Sequence, residues 1–526
     1  MSSEEHELQQ ASEPDVGAAQ EKHATQNGEP SLKSMNSNTG YEGNAVEDVG
    51  PRGKPWMYKS PKIGPITLPY YASPMAQLLI VAFVCFLCPG MFNAVSGLGG
   101  AGLLDHTVAD KGNIALYSCF AVVGFFAGSI TNVIGTRFAL FFGGFGYFLY
   151  VASLLSYNHT SNGGFTIFAG ALEGVCAGCL WAAQGTVMMS YPEENNKGKY
   201  IGIFWIIFNL GGVIGSLIPL GQNIHSTSNS VADGTYIAFM ILMFVGFLLA
   251  ALLVDTKYVR RTDGSAVIAM KHPSWKTELL GLVSVLKTDL YIVGLFPMFV
   301  ASNWFYTYQF NVVNASSFNI RTRSLNNVIY WSMQMVGAFV FGQLLDVKFL
   351  TRSLRAKIGW CIIFAVGMAI WGGGYAYHKT MPTRAELGDN PVLLDWTDSG
   401  FGGPFVLYIF YGFYDALFQT FVYWSMGAMS NNSRKLANFA GFYKGLQSAG
   451  AAGAWALDND KGSFAAEFGS SWGLVAGALL IGAPVIFMKV KDTTDIAEDL
   501  KFSDETPDEV IGHSVVAKNE GESPAY

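Results

Sequence analysis

Twelve apolar blocks, each near 20 residues long, constrain this chain more than any other feature; they run approximately 75–98, 113–132, 137–156, 165–188, 200–220, 235–254, 290–311, 326–346, 358–378, 404–426, 436–456 and 470–489. A helix of about 20 apolar residues crosses a hydrocarbon core of about 30 Å, and only helices or closed barrels satisfy their backbone in lipid. Continuous apolarity excludes the in-and-out alternation of barrel strands. The blocks therefore predict an all-α polytopic membrane protein with twelve transmembrane helices. Composition agrees: 13% of residues are charged, against roughly 25% in an average soluble domain.

The hydrophilic segments predict a topology. Residues 1–70 read as a disordered N-terminal tail without a cleavable signal segment, ending in a basic juxtamembrane stretch. That stretch, Arg52, Lys54, Lys59 and Lys62 with no acid, either favours an anionic leaflet or merely sets orientation. Residues 491–526 form an acidic tail. Residues 255–289 form a linker whose 274–287 portion, rich in Trp, Leu and Val between Lys276 and Lys287, suits a helix lying on the membrane surface. With both termini cytoplasmic, the inner loops hold fifteen Lys and Arg against six outside (Lys111, Arg321, Arg323, Lys379, Arg384 and Lys461), as the positive-inside rule requires. This orientation puts the glycosylation sequon at Asn158 outside. Whether the resident membrane is the plasma membrane or an endomembrane is open. No basic surface invites nucleic acid.

The stretch Gly97-Leu-Gly-Gly-Ala-Gly102 spells G-x-G-x-x-G, the pyrophosphate-cradling fingerprint, which needs a strand before it and an acid about 20 residues later. Here it follows a lipid-length helix, and 119–127 holds no acid. No cofactor is expected; the glycines instead allow a neighbouring backbone to come close. Cys85-x-x-Cys88 and Cys176-x-x-Cys179 lie inside apolar blocks without histidine, so no metal site is expected either.

The linker separates six blocks from six, giving halves at 71–254 and 290–490, and the halves match at corresponding blocks. Blocks 1 and 7 each carry a mid-block proline, Pro89 and Pro297, expected to kink the helix. Blocks 4 and 10 share a small-x-x-acid device, Gly170-x-x-Glu173 and Gly412-x-x-Asp415. Blocks 2 and 8 end on Gly128-x-x-x-Asn132 with Arg137 and on Gly342-x-x-x-Asp346 with Arg352.

These repeated G-x-x-x-D/N loops resemble the gating-loop motif of the major facilitator superfamily. The runs LCPGMFNAVSGLGGAG (87–102), YIGIFWIIFNLGG (200–212) and SWKTELLGLVSVLKTDLYIVGLFPMFV (274–300) resemble the fungal branch of the uncoordinated-93-like membrane proteins within it. The resemblance spans about 70–490. It implies two pseudo-symmetric six-helix bundles. It also implies either a carrier or, as for some animal members, a regulatory or trafficking subunit bound to a membrane-protein partner. Asn132 stands where the family motif has aspartate, so the resemblance implies that the cytoplasmic latch is missing in the first half and available to Asp346 in the second.

Ionisable groups at mid-bilayer persist only when buried in the bundle, paired or hydrated. Glu173, Asp415 and Lys444 are the three such groups. Tyr408, Tyr411, Asp415, Gln419 and Tyr423 recur at three- and four-residue spacing, so they share a face that must look inward. Lys444 and Gln447 answer from block 11, where Asp415 and Lys444 either pair to fix two helices or serve a substrate or proton. Glu173, between Gly170 and Gly174, either moves a proton or sits as a neutral acid bonded to a neighbour. Asn93, Trp205, Asn209 and Asn303, with Tyr306 and Gln309, are lesser candidates for the pathway; the run 303–310 is either an interfacial aromatic belt or an outer gate. No nucleophile, base and orienting group come together, so no enzyme is expected. The leading expectation is a secondary transporter of a small solute, either proton-coupled or not; the alternative is the non-transporting subunit.

Overall fold

The computed structural model describes residues 53–492, apart from 104–105, 193–196, 227–229, 262–266, 268–275, 277–279, 282, 284–285, 288–289, 348, 388–391 and 430–432. Residues 1–52, the acidic tail beyond 492 and most of the expected surface helix at 274–287 lie outside the described residues, as does the Asn132 side chain.

Among the described residues twelve rods carry the fold. In chain order they are α1 (Pro74–Leu87, resumed at Pro89–Gly97), α2 (His106–Gly124, resumed at Ala127–Ile134), α3 (Thr136–Thr160), α4 (Gly163–Ser190), α5 (Lys197–Asn223), α6 (Asp233–Leu249), α7 (Tyr291–Thr307, continued as a π-helix over Tyr308–Ala315), α8 (Ile320–Leu345), α9 (Arg352–His378), α10 (Gly402–Met429), α11 (Ser433–Asn459) and α12 (Phe464–Pro484, with a π turn over Val485–Lys489). Five begin on a side-chain cap, in which Ser73, Asn162, Asn319, Thr351 or Ser463 accepts a bond from a backbone amide of the first turn. Among the described residues nine rods are long and apolar enough to cross a bilayer unaided. The other three, α2, α7 and α11, are interrupted, short or polar.

Some boundaries differ from the hydropathy blocks. Helix α2 starts at His106, α8 at Ile320 and α12 at Phe464, each about two turns before its block. The turns ahead of those blocks carry Asp110, Arg323 and Glu467, all buried. Local hydropathy counts such residues as loop, whereas the folded chain gives them partners.

The helix is interrupted before Pro89, at Cys88 (φ −104, ψ −84). Pro297 instead lies within an uninterrupted helix, and the irregular part of α7 is the π stretch beyond it. Residues 53–72, expected as the end of a tail, are folded: a 3-10 turn at Pro55–Tyr58 precedes a hairpin of β1 (Lys62–Ile63) and β2 (Ile66–Thr67). Tyrosine hydroxyls tie this segment to the chain beyond α6, Tyr58 donating to the Tyr258 carbonyl and Tyr70 to that of Arg260, each at 2.8 Å.

The packing repeats after six helices. In the first half α4 lies on α2, α6 on α3, and α1 on α5 and α6; in the second α10 lies on α8, α12 on α9, and α7 on α11 and α12. Buried apolar side chains gather into two clusters that follow these groups. Between them α2 runs along α11 and α5 along α8, so these four helices make the seam.

Candidate functional site

A polar network occupies the second half beside the seam. Asp415, at the middle of α10, is fully buried and its carboxylate accepts from four side chains. Tyr306 of α7 donates to Oδ2 at 2.9 Å, Tyr330 of α8 at 3.2 Å, and Gln334 of α8 also bonds Oδ2. Gln419, one turn along α10, donates to Oδ1 at 2.7 Å. Gln447 Nε2 reaches Gln419 Oε1 at 3.4 Å, Tyr443 Oη at 3.0 Å and Asn303 Oδ1 at 3.0 Å. Its own Oε1 accepts from Lys444 Nζ at 2.9 Å. Asp415 and Lys444 are thus joined by a relay through Gln419 and Gln447, in place of the direct ion pair expected as one alternative.

Lys444 meets no carboxylate among the described residues. Its ammonium lies over three aromatic rings, 5.6 Å from Trp181 of α4, 5.6 Å from Tyr423 of α10 and 5.2 Å from Tyr443 of α11, where ring quadrupoles offset part of its desolvation. Trp181 belongs to the first half, so the cation faces across the seam. On α5, Trp205, Asn209 and Gly212 follow one another on one face; Trp205 meets Tyr423 at 6.2 Å between ring centres, and Gly212 abuts Trp331 of α8. Trp181, Trp205, Asn209, Gln419, Tyr423 and Lys444 all remain half-buried, so part of their surface stays accessible.

Glu173 has a different setting. Gly170 and Gly174 press α4 onto the backbone of α2 at Gly112 and Leu116, and Gly146 of α3 lies against the Glu173 backbone. The side chain is fully buried, and neither carboxyl oxygen has a hydrogen-bonding partner among the described residues. The expected neighbour bond is absent there. The matched device does recur in three dimensions: Gly412 presses α10 onto the Tyr330 backbone of α8 as Gly170 presses α4 onto α2, with an acid three residues on in each case.

The remaining candidates scatter. Tyr411 turns to α9, packing on Trp371 at 5.3 Å, and its hydroxyl joins no bond among the described residues. It lies about 80° around the helix from Gln419, at the edge of the stripe. Asn93 is half-buried on α1, outside the network. Asn158 is exposed in the last turn of α3. Arg137 binds the chain just beyond α6, donating from Nε to the Leu253 carbonyl at 2.6 Å beside Asp255, and Arg352 binds the chain just beyond α12 in the same way through the Lys491 carbonyl at 2.6 Å. Gly128 and Gly342 lie near the ends of α2 and α8. Asp346 is exposed and forms no ion pair among the described residues, so the second-half latch expected of it is not made here; the arginines hold carbonyls instead.

Hydropathy and spacing missed a lock at the opposite end of the seam from Arg137 and Arg352. Gly97–Gly102, the stretch with the dinucleotide-like spelling, is where the second half seats on the first. Asn327 donates to the Ala94 carbonyl (2.6 Å), Asn314 to that of Gly97 (3.0 Å), and Arg323 to those of Leu98 (2.8 Å) and Gly99 (2.7 Å). Asn311, on the π stretch of α7, accepts from the Gly100 amide at 2.7 Å and donates to Asp110 of α2 at 3.0 Å and Asp458 of α11 at 2.6 Å. A side chain on Gly97 would overlap Asn327, and one on Gly99 would overlap the Phe310 carbonyl at a φ of +75°. Arg384 closes the chain with Asp458 and Glu467.

Above the lock, Arg321 grips Asp395 of the loop between α9 and α10 with two bonds, Nε to Oδ1 at 2.9 Å, and the loop amide of Trp396 adds a third at 2.7 Å. The Arg321 bonds hold the Asp395 carboxyl at about 2, below the ordinary carboxylate range. Because the folded value is depressed, the clamp's contribution is full above about pH 4 and is lost as pH falls through about 2. Hydrogen exchange of 392–398 is therefore expected to stay slow at pH 4–5 in the parent and to be faster in Asp395→Asn; equal rates at pH 5 would refute the clamp.

Residues 78–457 match the family model of the Major Facilitator Superfamily. An UNC93-like protein of Schizosaccharomyces pombe is 50% identical over 444 residues, which cover 84% of this chain and 88% of that protein. UNC93-like protein 1 of Arabidopsis thaliana is 44% identical over 428 residues, 81% of this chain and 92% of that one. Among solved structures, a D-xylose-proton symporter superposes with a TM-score of 0.55 at 12% identity, covering 79% of this chain and 97% of its own. The E. coli xylose transporter in a partially occluded inward-open conformation gives 0.55 at 12% identity, covering 80% and 100%. At such identity these structures speak to the fold alone.

Proposed function

The chain belongs to the major facilitator superfamily, in its UNC93-like group, and on that premise we propose that it is a proton-coupled secondary transporter of a small solute. The halves 71–254 and 290–490 rock about the seam with both termini on the cytoplasmic side, so that a midplane site opens to one side at a time. The lock at Gly97–Gly102 is the closed outer end of that cycle, and Asp415, Gln419, Gln447 and Lys444 are the working groups.

The observation that carries this reading is the wiring of Asp415. A carboxyl deep in a helix bundle is costly to keep, and this one is gripped by side chains from α7, α8 and α10 and linked to a half-exposed ammonium facing the other half. A change of partner at Lys444 reaches Asp415 through two amides. Glu173, sealed by the α2–α4 contact, holds the matched position in the first half as a buried carboxyl without access to the seam.

The test is uptake from a 13C-labelled cell extract into proteoliposomes under an inward proton gradient, read by mass spectrometry. At least one solute accumulates and collapse of the gradient abolishes it; Asp415→Asn lowers the initial rate by at least about tenfold with unchanged thermal unfolding. Accumulation of nothing, or an unaffected Asp415→Asn, would overturn the reading.

A further inference from the structure

We infer that the solute is an organic anion with a flat, apolar body, bound with its negative group on Lys444 and its body between Trp181, Trp205 and Tyr423. This assignment rests on the transport reading above and names the class of solute that the same site takes.

The argument begins with which charges are already satisfied. Asp415 is fully buried and accepts from Tyr306, Tyr330, Gln334 and Gln419, so it has little left to offer a cationic guest. Glu173 is enclosed by the α2–α4 backbone contact and does not face the seam's accessible surface. Lys444 is the reverse: half-buried, bonded to one neutral amide, and without a carboxylate among the described residues. An ammonium at this depth is costly unless a counter-charge joins it. Among the described residues the protein supplies only rings and an amide. A mobile anion completes the site.

The walls specify the rest of the ligand. Trp181 and Tyr423 flank the ammonium, and Trp205 packs edge-to-face on Tyr423, so aromatic surfaces from both halves meet beside the cation and a guest body enters as they part. Asn209, one turn from Trp205 on the same face of α5, is half-buried and makes no hydrogen bond among the described residues, which leaves its amide available to a second acceptor on the guest. Rings give little discrimination among small hydrated inorganic anions but stack well on a flat organic body. Contacts from α4 and α5 on one side and α10 and α11 on the other are what a guest must make to draw the halves together. As the anion takes Lys444 away from Gln447 Oε1, the freed amide can re-pair, and the change passes through Gln419 to Asp415.

Radiolabelled benzoate is the probe, measured by equilibrium binding to the purified full chain in nanodiscs. Benzoate is expected to bind saturably, with benzyl alcohol and benzylamine, its neutral and cationic counterparts, failing to compete. Lys444→Gln weakens binding at least about tenfold, the scale of one charge-assisted contact, while Lys444→Arg, which keeps the charge, retains saturable binding and the control Gly473→Leu, where a side chain meets nothing within 4 Å, stays within a few-fold of the parent. Thermal unfolding of each variant guards against loss of the fold, and Lys444→Arg keeps the test decisive if Lys444→Gln does not fold. Absence of saturable binding, equal binding by folded Lys444→Gln, or competition by benzylamine would overturn the assignment. Lys444-dependent binding without gradient-driven uptake leaves the anion site standing and removes the transport reading. Uptake restricted to neutral or cationic solutes does the opposite.

Discussion

Gly174→Leu is expected to abolish the folded protein. A side chain there would overlap the Leu116 carbonyl and come within 2.9 Å of Cys119 Cβ and the Phe120 amide, so the obstacle is largely backbone of α2, which cannot swing aside. Helix association in lipid depends on such close approach, because burial of apolar surface provides no drive between helices already in oil. Separating α2 from α4 by the width of an added side chain also disturbs α2 against α11 at the seam. The cost is about 3 kcal/mol or more, at the upper end of over-packing. The control is Gly473→Leu on α12, where a side chain meets nothing within 4 Å. Thermal unfolding in detergent decides the matter: the control melts near the parent and Gly174→Leu is aggregated or far lower. Equal melting temperatures would mean that the α2–α4 contact is not as described.

The second large effect is at Arg323. Replacing it by methionine keeps much of the apolar stem and removes the donors that hold the Leu98 and Gly99 carbonyls at 2.8 and 2.7 Å. Two buried carbonyls lose charged partners, a change of about 3 kcal/mol against the closed state of the Gly97–Gly102 end, or roughly a hundredfold in its population relative to an open one. Hydrogen exchange across 94–103 and 308–315 is expected to accelerate together, since Asn311 accepts from the Gly100 amide and must part from it when the halves separate. Exchange around the α2–α4 contact stays slow. Acceleration everywhere would show general destabilisation and refute a lock; no acceleration at 94–103 would show that Arg323 does not hold it.

Much of the polar network was readable along the chain. Asp415, Gln419, Lys444 and Gln447 are polar groups in otherwise apolar helices at one-turn spacing, and a helix turns such spacing into a shared face. Tyr411 satisfied the same rule and still faces α9, because a stripe spread over a third of the helix has edges that belong to different neighbours. Tyr330 and Gln334 of α8, which complete the Asp415 shell, sit in a helix whose polar residues follow no single stripe that sequence would single out. Arg323 was counted as an outer-loop charge by hydropathy, yet it is among the most buried residues of the protein.

Sequence alone determined that this is a twelve-helix membrane protein built from two related halves, since apolar length and repeated motifs are local properties that lipid enforces on each segment separately. Which polar groups meet was decided only in three dimensions. Arg323 binds a carbonyl 225 residues away, and Lys444 lies against rings brought from α4 and α10. A buried donor or charge requires a partner, but the chain does not record where that partner is found; the approach of one helix to another supplies it.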